Sequence, residues 1–212
     1  MRSQVDEDKR YKRGIKAIHR ELINLGLKEK NKKVLKLAND WETYYKMSNQ
    51  NLGIASALPR MVEYLVERLN KIYRGKVTAT CQNGCDFSDG TDSKIAVTNI
   101  WNATRETKSK GKHQIKVKGC NLVGADTKIG GIRGMIIDDM GRSTKLTFLV
   151  IPNSIIERSG KRSRYLKMSF GSGENIRREI TPRSIYKKCE CSIKEWAILT
   201  QDAMEKRINL KS

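Results

Sequence analysis

The chain has 212 residues and carries 43 Lys+Arg against 23 Asp+Glu, a formal net charge of +20 at pH 7. With 38% hydrophobic residues it can close the core of one ordinary domain, and no run approaches the ~18 apolar residues of a membrane span. The first ten residues lack the apolar segment of a secretory signal, so we expect a soluble cytoplasmic protein with no membrane partner. The charge favours a polyanionic partner, nucleic acid above all, because neutralised phosphates release condensed counterions.

The first 75 residues have the pattern of helices. Apolar residues recur at spacings of three and four, and they predict a first helix that Gly26 ends, a second over 31–47 and a third over 56–75 that Gly75 ends. The other face of the first helix is densely basic, as expected either of a phosphate-tracking surface or of an ordinary solvated face. We expect 1–55 to form a basic helical N-terminal region and 56–212 an α/β core, the two joined in one compact domain.

From Lys76 onwards the apolar period changes to two, which is typical of strands. Strands are predicted over 93–100, 114–120, 132–137, 145–151 and 165–170, with 132–137 and 145–151 forming a hairpin and 101–112 a flexible arm. A closing helix is predicted over 192–210, and it carries the apolar residues Trp196, Leu199, Ala203 and Ile208. The order of elements predicts an α+β, or mixed α/β, fold.

An acidic stretch before the first long strand is the most unusual local feature. Asp86, Asp89 and Asp92 fall within seven residues, and Lys94 follows Asp92 at the second position. Alternate residues of a strand share a face, so Asp92 and Lys94 are expected on one side. Clustered carboxylates repel one another unless a divalent cation or a Lys offsets their charge, and oxygen ligands suit magnesium. Taken locally, Asp-Gly-Thr-Asp is also an ordinary turn sequence.

This arrangement resembles the active site of PD-(D/E)XK nucleases, the fold of most Type II restriction endonucleases. The resemblance implies a core sheet flanked by helices, and catalysis by Glu63 on a helix, Asp89 (or Asp86) as the intermediate acid, and the tripeptide Asp92-Ser93-Lys94. It further implies Mg²⁺ held by Asp89 and Asp92, double-stranded DNA as substrate, and a homodimer that cuts both strands. The two acids lie closer together than is usual in the family.

A second registration of the same motif remains open. Asp92 would be the first acid and Gln114-Ile115-Lys116 the tripeptide, since some members of the family use Gln at that position. In that registration Gln114 and Lys116 are the catalytic residues, and the strands 93–100 and 114–120 pair as the central hairpin.

Basic residues in glycine-rich segments are the candidates for DNA contacts, because glycine permits close approach of the backbone and Arg or Lys can bind phosphates or guanine. They are Lys128, Arg133, Lys161, Arg162, Arg164, Arg177 and Arg178. The same charge would also suffice for the alternative function, a non-catalytic nucleic-acid-binding or packaging protein.

The cysteines leave a zinc site open as an alternative. Cys81 with Cys85, and Cys189 with Cys191, form two close pairs, and four thiolates can bind zinc. Neither spacing is that of a common zinc finger, so we expect all four to be reduced and free of metal.

Overall fold

The computed structural model describes residues 4–52, 54–79, 87–88, 92–99, 113–118, 131–138, 144–152, 154–155, 165–170 and 188–209. The helices are α1 (Gln4–Lys28), α2 (Lys32–Leu52), α3 (Ile54–Tyr73), α4 (Ile193–Ile198) and α5 (Gln201–Asn209). The strands are β1 (Thr78–Ala79), β2 (Phe87–Ser88), β3 (Asp92–Asn99), β4 (His113–Lys118), β5 (Gly131–Asp138), β6 (Lys145–Pro152), β7 (Tyr165–Phe170) and β8 (Glu190–Cys191). The fold is α+β, as predicted.

The apolar stripes of the three N-terminal helices meet in one core with the sheet. Ile18, Leu22, Trp41 and Leu65 are completely buried in the same cluster as the strand residue Leu149. The Nε1–H of Trp41 donates a hydrogen bond to the carbonyl of Ile15 at 3.1 Å, which joins α2 to α1. The described parts of the basic N-terminal region therefore share their core with the rest of the chain.

The end of α1 differs from the prediction, because Gly26 lies inside the helix and is buried. Lys30 takes the left-handed conformation, with φ of 50°, and Asn31 N–H donates to the Gly26 carbonyl at 2.8 Å. Together with the bond from Lys30 N–H to the Leu27 carbonyl at 3.2 Å, this is a Schellman motif. Gly26 serves close packing instead, since a Cβ there would lie 2.6 Å from a methyl carbon of Leu35.

The end of α3 repeats this motif and leads directly into the sheet. Arg74 has φ of 53°, and Gly75 N–H donates to the carbonyl of Asn70 at 2.9 Å. The buried amide of Asn70 also accepts from Val77 N–H at 3.1 Å and donates to the Val77 carbonyl. The Asn70 side chain thus fixes the turn between α3 and β1.

The main sheet has six strands in the order β1-β2-β3-β5-β6-β8. The predicted hairpin of β5 and β6 is confirmed, with Asp138 opposite Lys145 and Gly131 opposite Pro152. β3 pairs with β5 in parallel and with β2 antiparallel, while β4 and β7 form a separate two-stranded antiparallel ribbon. The predicted pairing of β3 with β4 in a central hairpin is therefore wrong, because β3 pairs with β5 along Ser93–Asn99 and β4 pairs instead with β7.

The predicted closing helix is divided into α4 and α5. Leu199 ends α4 in an extended conformation, and the hydroxyl of Thr200 accepts from Ala203 N–H at 3.2 Å to cap α5. The apolar pattern does not predict this break, because Trp196 on α4 and Ile208 on α5 are both buried in the core and so continue one apolar pattern across it.

Candidate functional site

The β2–β3 hairpin carries the acidic motif at its turn. Ser88, the last residue of β2, lies opposite Asp92, the first residue of β3. Asp89 follows Ser88 in the chain and lies outside the described residues, as does Asp86. In the sequence, Asp89 immediately follows β2 and Asp92 begins β3, so the two carboxylates are three positions apart. Carboxylate oxygens are the ligands that magnesium prefers.

Glu63 belongs to a helix that contacts the strand of this motif. α3 contacts β3 and also β1, and Glu63 is half-buried near the middle of α3. Lys94 is the third residue of β3 and lies opposite Ile132 of β5 in the parallel register. The fold therefore brings together the two elements that carry Glu63, Asp92 and Lys94.

Gln114 and Lys116, the residues of the second registration, lie on β4. The ribbon register places Gln114 opposite Ser169 and Lys116 opposite Lys167 of β7. β4 contacts β3 but does not pair with it. The two registrations share Asp92, but their tripeptides lie on different sheets, and only the first has its acid and its Lys on one strand.

Arg133 corrects the prediction of a DNA contact at that position. Its side chain is completely buried on β5, and it donates to the carbonyls of Trp196 at 2.5 Å and Leu199 at 2.7 Å. A side chain enclosed in this way cannot reach DNA, and it instead fastens α4 to the sheet. The other predicted DNA contacts lie outside the described residues: Lys128, Lys161, Arg162, Arg164, Arg177 and Arg178.

Two basic surfaces are formed by the described helices. The first is the exposed side of α1, with Lys12, Arg13, Lys16 and Arg20. The second lies between α2 and α3, where the start of α2 runs beside the end of α3, and its cations are Lys33, Lys36, Arg68 and Lys71. We call this second surface the α2–α3 groove. Its cations are not among the predicted DNA contacts, although the spacing of three residues in Lys33/Lys36 and in Arg68/Lys71 places each pair on one face of its helix.

Cys191 lies in the edge strand β8 of the main sheet, and Cys189 directly precedes that strand. Cys189 is completely buried, and the Cys191 thiol lies 3.7 Å from the carbonyl of Phe148. Burial raises the pKa of both thiols to about 12, which disfavours the thiolate form that zinc requires. Cys81 and Cys85, the other predicted pair, are outside the described residues.

Within the described part of the chain, no three His, Cys, Asp or Glu residues lie close enough together to hold a metal ion. Asp89 lies outside that part of the chain. No described helix is both long enough and apolar enough to cross a membrane.

Comparison of the chain with protein-family models, with curated proteins and with solved structures gave no match.

Proposed function

We propose that the protein is a magnesium-dependent DNA endonuclease of the Type II restriction type, related to the PD-(D/E)XK nucleases. The observation that carries the proposal is the contact between α3, which bears Glu63, and β3, which begins with Asp92-Ser93-Lys94. Helix Glu, strand acid and strand Lys are the elements of that catalytic pattern. The net charge of +20 supports a DNA substrate.

The proposed roles follow from the chemistry of each side chain. Asp89 and Asp92 hold the cation, and Glu63 supports its ligand shell from α3. Magnesium, when bound, offsets negative charge on the scissile phosphate. Lys94 donates a hydrogen bond to the attacking water and orients it toward phosphorus.

Cleavage of supercoiled plasmid is the direct test. With magnesium we expect the wild-type protein to nick and linearise the plasmid, and with EDTA we expect no product. Asp92→Asn and Lys94→Ala should each abolish cleavage while retaining DNA binding, because binding depends on charge distributed over the surface. Asp202→Asn, an exposed carboxylate on α5, is the matched control and should cleave normally. An unaltered cleavage rate in Asp92→Asn would show the proposal to be wrong.

The second registration is tested by Gln114→Ala and Lys116→Ala. If Asp92-Ser93-Lys94 is the tripeptide, these variants retain most of their activity. Loss of cleavage in both, with Lys94→Ala active, would transfer the catalytic role to β4.

The exposed basic side of α1 favours a second candidate function, a non-catalytic nucleic-acid-binding protein. This function needs no carboxylate centre. Tight duplex binding without cleavage, under every metal tested, would support it over the nuclease.

Homodimer formation is proposed by analogy, since one catalytic centre cuts one strand and a two-fold pair cuts both. Sedimentation equilibrium with and without a DNA duplex measures it.

A further inference from the structure

The α2–α3 groove is a concave, strongly basic surface formed by two helices. It encloses about 320 Å³, and four of its eight lining residues are Lys or Arg against one carboxylate, Asp40. Its apolar lining consists of the buried Leu37 and the half-buried Tyr64 and Ile72. A cavity with this combination of an apolar floor and a cationic rim fits an extended polyanion better than a small neutral ligand.

Two of the four cations are already paired, but only weakly. Lys36 contacts Asp40 at 2.9 Å and Lys71 contacts Glu67 at 2.6 Å, each pair within one helix. The two Lys side chains are 76% and 64% exposed, so water screens both pairs and each contributes little. A phosphate can therefore replace either carboxylate at small cost.

The other two cations are held differently. Within the described part of the chain, Lys33 and Arg68 form no ion pair with a carboxylate. The Arg68 guanidinium lies 4.9 Å from the centre of the Tyr64 ring, which holds it in place while leaving its edge donors available. Lys33 is in the first turn of α2, where the helix dipole also favours an anion.

We infer that the α2–α3 groove binds the phosphate backbone of one DNA strand, with Lys33 and Arg68 as the principal contacts. The inference rests on the proposed function only in taking DNA as the partner, and it requires no catalytic step. It adds a DNA contact region formed by residues of α2 and α3.

The test is binding of a short fluorescent DNA duplex in EDTA, measured by anisotropy over a series of salt concentrations. Lys33→Ala/Arg68→Ala should weaken binding and reduce the slope of log K against log salt by about 2, one for each lost phosphate contact. Lys28→Ala/Lys206→Ala removes two charges from exposed positions on α1 and α5 that belong to neither basic surface, and it is the control. Its slope should change less. Lys33→Arg/Arg68→Lys, which keeps the charge, should restore most of the binding.

Equal slopes in the groove variant and the wild type, with both proteins shown to be folded by thermal melting, would overturn the inference. Equal losses in the groove variant and the control would also overturn it, since they would reflect total charge only. Plasmid cleavage separates the two proposals. If the wild-type protein cleaves and the groove variant has an unchanged slope, the nuclease proposal is supported and the groove inference is wrong. If the protein binds DNA through the groove but never cleaves it, the groove inference is supported and the nuclease proposal is wrong.

Discussion

The guanidinium of Arg133 donates a hydrogen bond to the backbone carbonyl of Trp196, and both side chains are completely buried. The ring of Trp196 also packs against Phe148 of β6, with centroids 5.2 Å apart. The buried guanidinium of Arg133 thus links β5 to the C-terminal end of α4, just before α5 begins.

Replacement of Arg133 by Met should destabilise the fold by about 3 kcal/mol, because the carbonyls of Trp196 and Leu199 lose charge-assisted hydrogen bonds and stay buried. Urea unfolding monitored by Trp fluorescence measures this. Lys206→Met, on the exposed side of α5, is the control and should change stability little. Equal midpoints for the two variants would contradict the structural role of Arg133.

Replacement of Lys30 by Gly should stabilise the protein by about 0.5–1 kcal/mol, since glycine has no steric penalty at positive φ. Arg74→Gly should act in the same direction at the end of α3. Lys28→Gly, inside the last turn of α1, should instead cost about 1 kcal/mol. Thermal melting of the three variants checks the opposite signs, and destabilisation by Lys30→Gly would refute the assigned cap.

Ser192→Ala should cost about 1 kcal/mol, because Ser192 and Glu195 form a reciprocal capping box at the start of α4. Partial burial opposes ionisation of Glu195, but hydrogen bonds from Ser192 and the nearby Arg207 lower its pKa below the usual 4.5. Its contribution is therefore complete above pH 4.5 and is lost as the pH falls through the lowered value. The stability difference between wild type and variant should be smaller at pH 3 than at pH 7. A constant difference would show that Glu195 does not take part.

Tyr73→Phe should raise the pKa of Glu29. The Tyr73 hydroxyl donates to Glu29 at 2.6 Å and Lys194 donates at 2.9 Å, and these bonds hold the Glu29 pKa below 4.5. A carbon-detected NMR titration of Glu29 measures the change. Tyr64→Phe is the matched control and should leave the titration unaltered. An unshifted Glu29 in Tyr73→Phe would mean that the hydroxyl bond does not persist in solution.

Cys189 and Cys191 should resist alkylation in the native protein. Burial raises the pKa of each thiol to about 12, so almost no reactive thiolate exists near neutral pH. Iodoacetamide followed by peptide mass spectrometry should leave both unlabelled at pH 8 and label both in urea. Elemental analysis should find no zinc after washing with chelator, and stoichiometric zinc would show the prediction to be wrong.

Local sequence patterns predicted most of the helices and strands. The pairing of the strands depends on contacts between distant parts of the chain, and these patterns do not predict it. The apolar spacing of α1 to α3 and the apolar runs of β5 and β6 each describe one segment, and the structure has a helix or a strand at each. The period of two does not extend to β6, whose last six residues are all buried. The pairing of β3 with β5 depends on which remote strand occupies each edge, and alternation alone carries no such information. For the same reason Arg133 looked like a surface residue in a basic, glycine-rich segment. Its burial depends on α4, some sixty residues later in the chain.

In the candidate site, too, local features could be predicted from the sequence and long-range contacts could not. Asp92 and Lys94 could be assigned to one strand because they are two residues apart, and the Ser88–Asp92 pairing agrees with a tight acidic turn. The α2–α3 groove was missed because its two halves are separate in sequence. Lys33 and Arg68 become neighbours of one cavity only through the antiparallel packing of two helices.

The parallel pairing of β3 and β5 has a consequence for how the chain folds. Asn99 ends β3 and Gly131 begins β5, at opposite ends of two parallel strands. Pairing strands that are so far apart in the sequence is entropically costly, whereas α1 with α2, and β5 with β6, are joined by short connections. We therefore expect these local pairs to form first and β3 to dock late. Until β3 docks, one edge of β5 stays open in the nascent chain, and there the refolding protein is most exposed to aggregation.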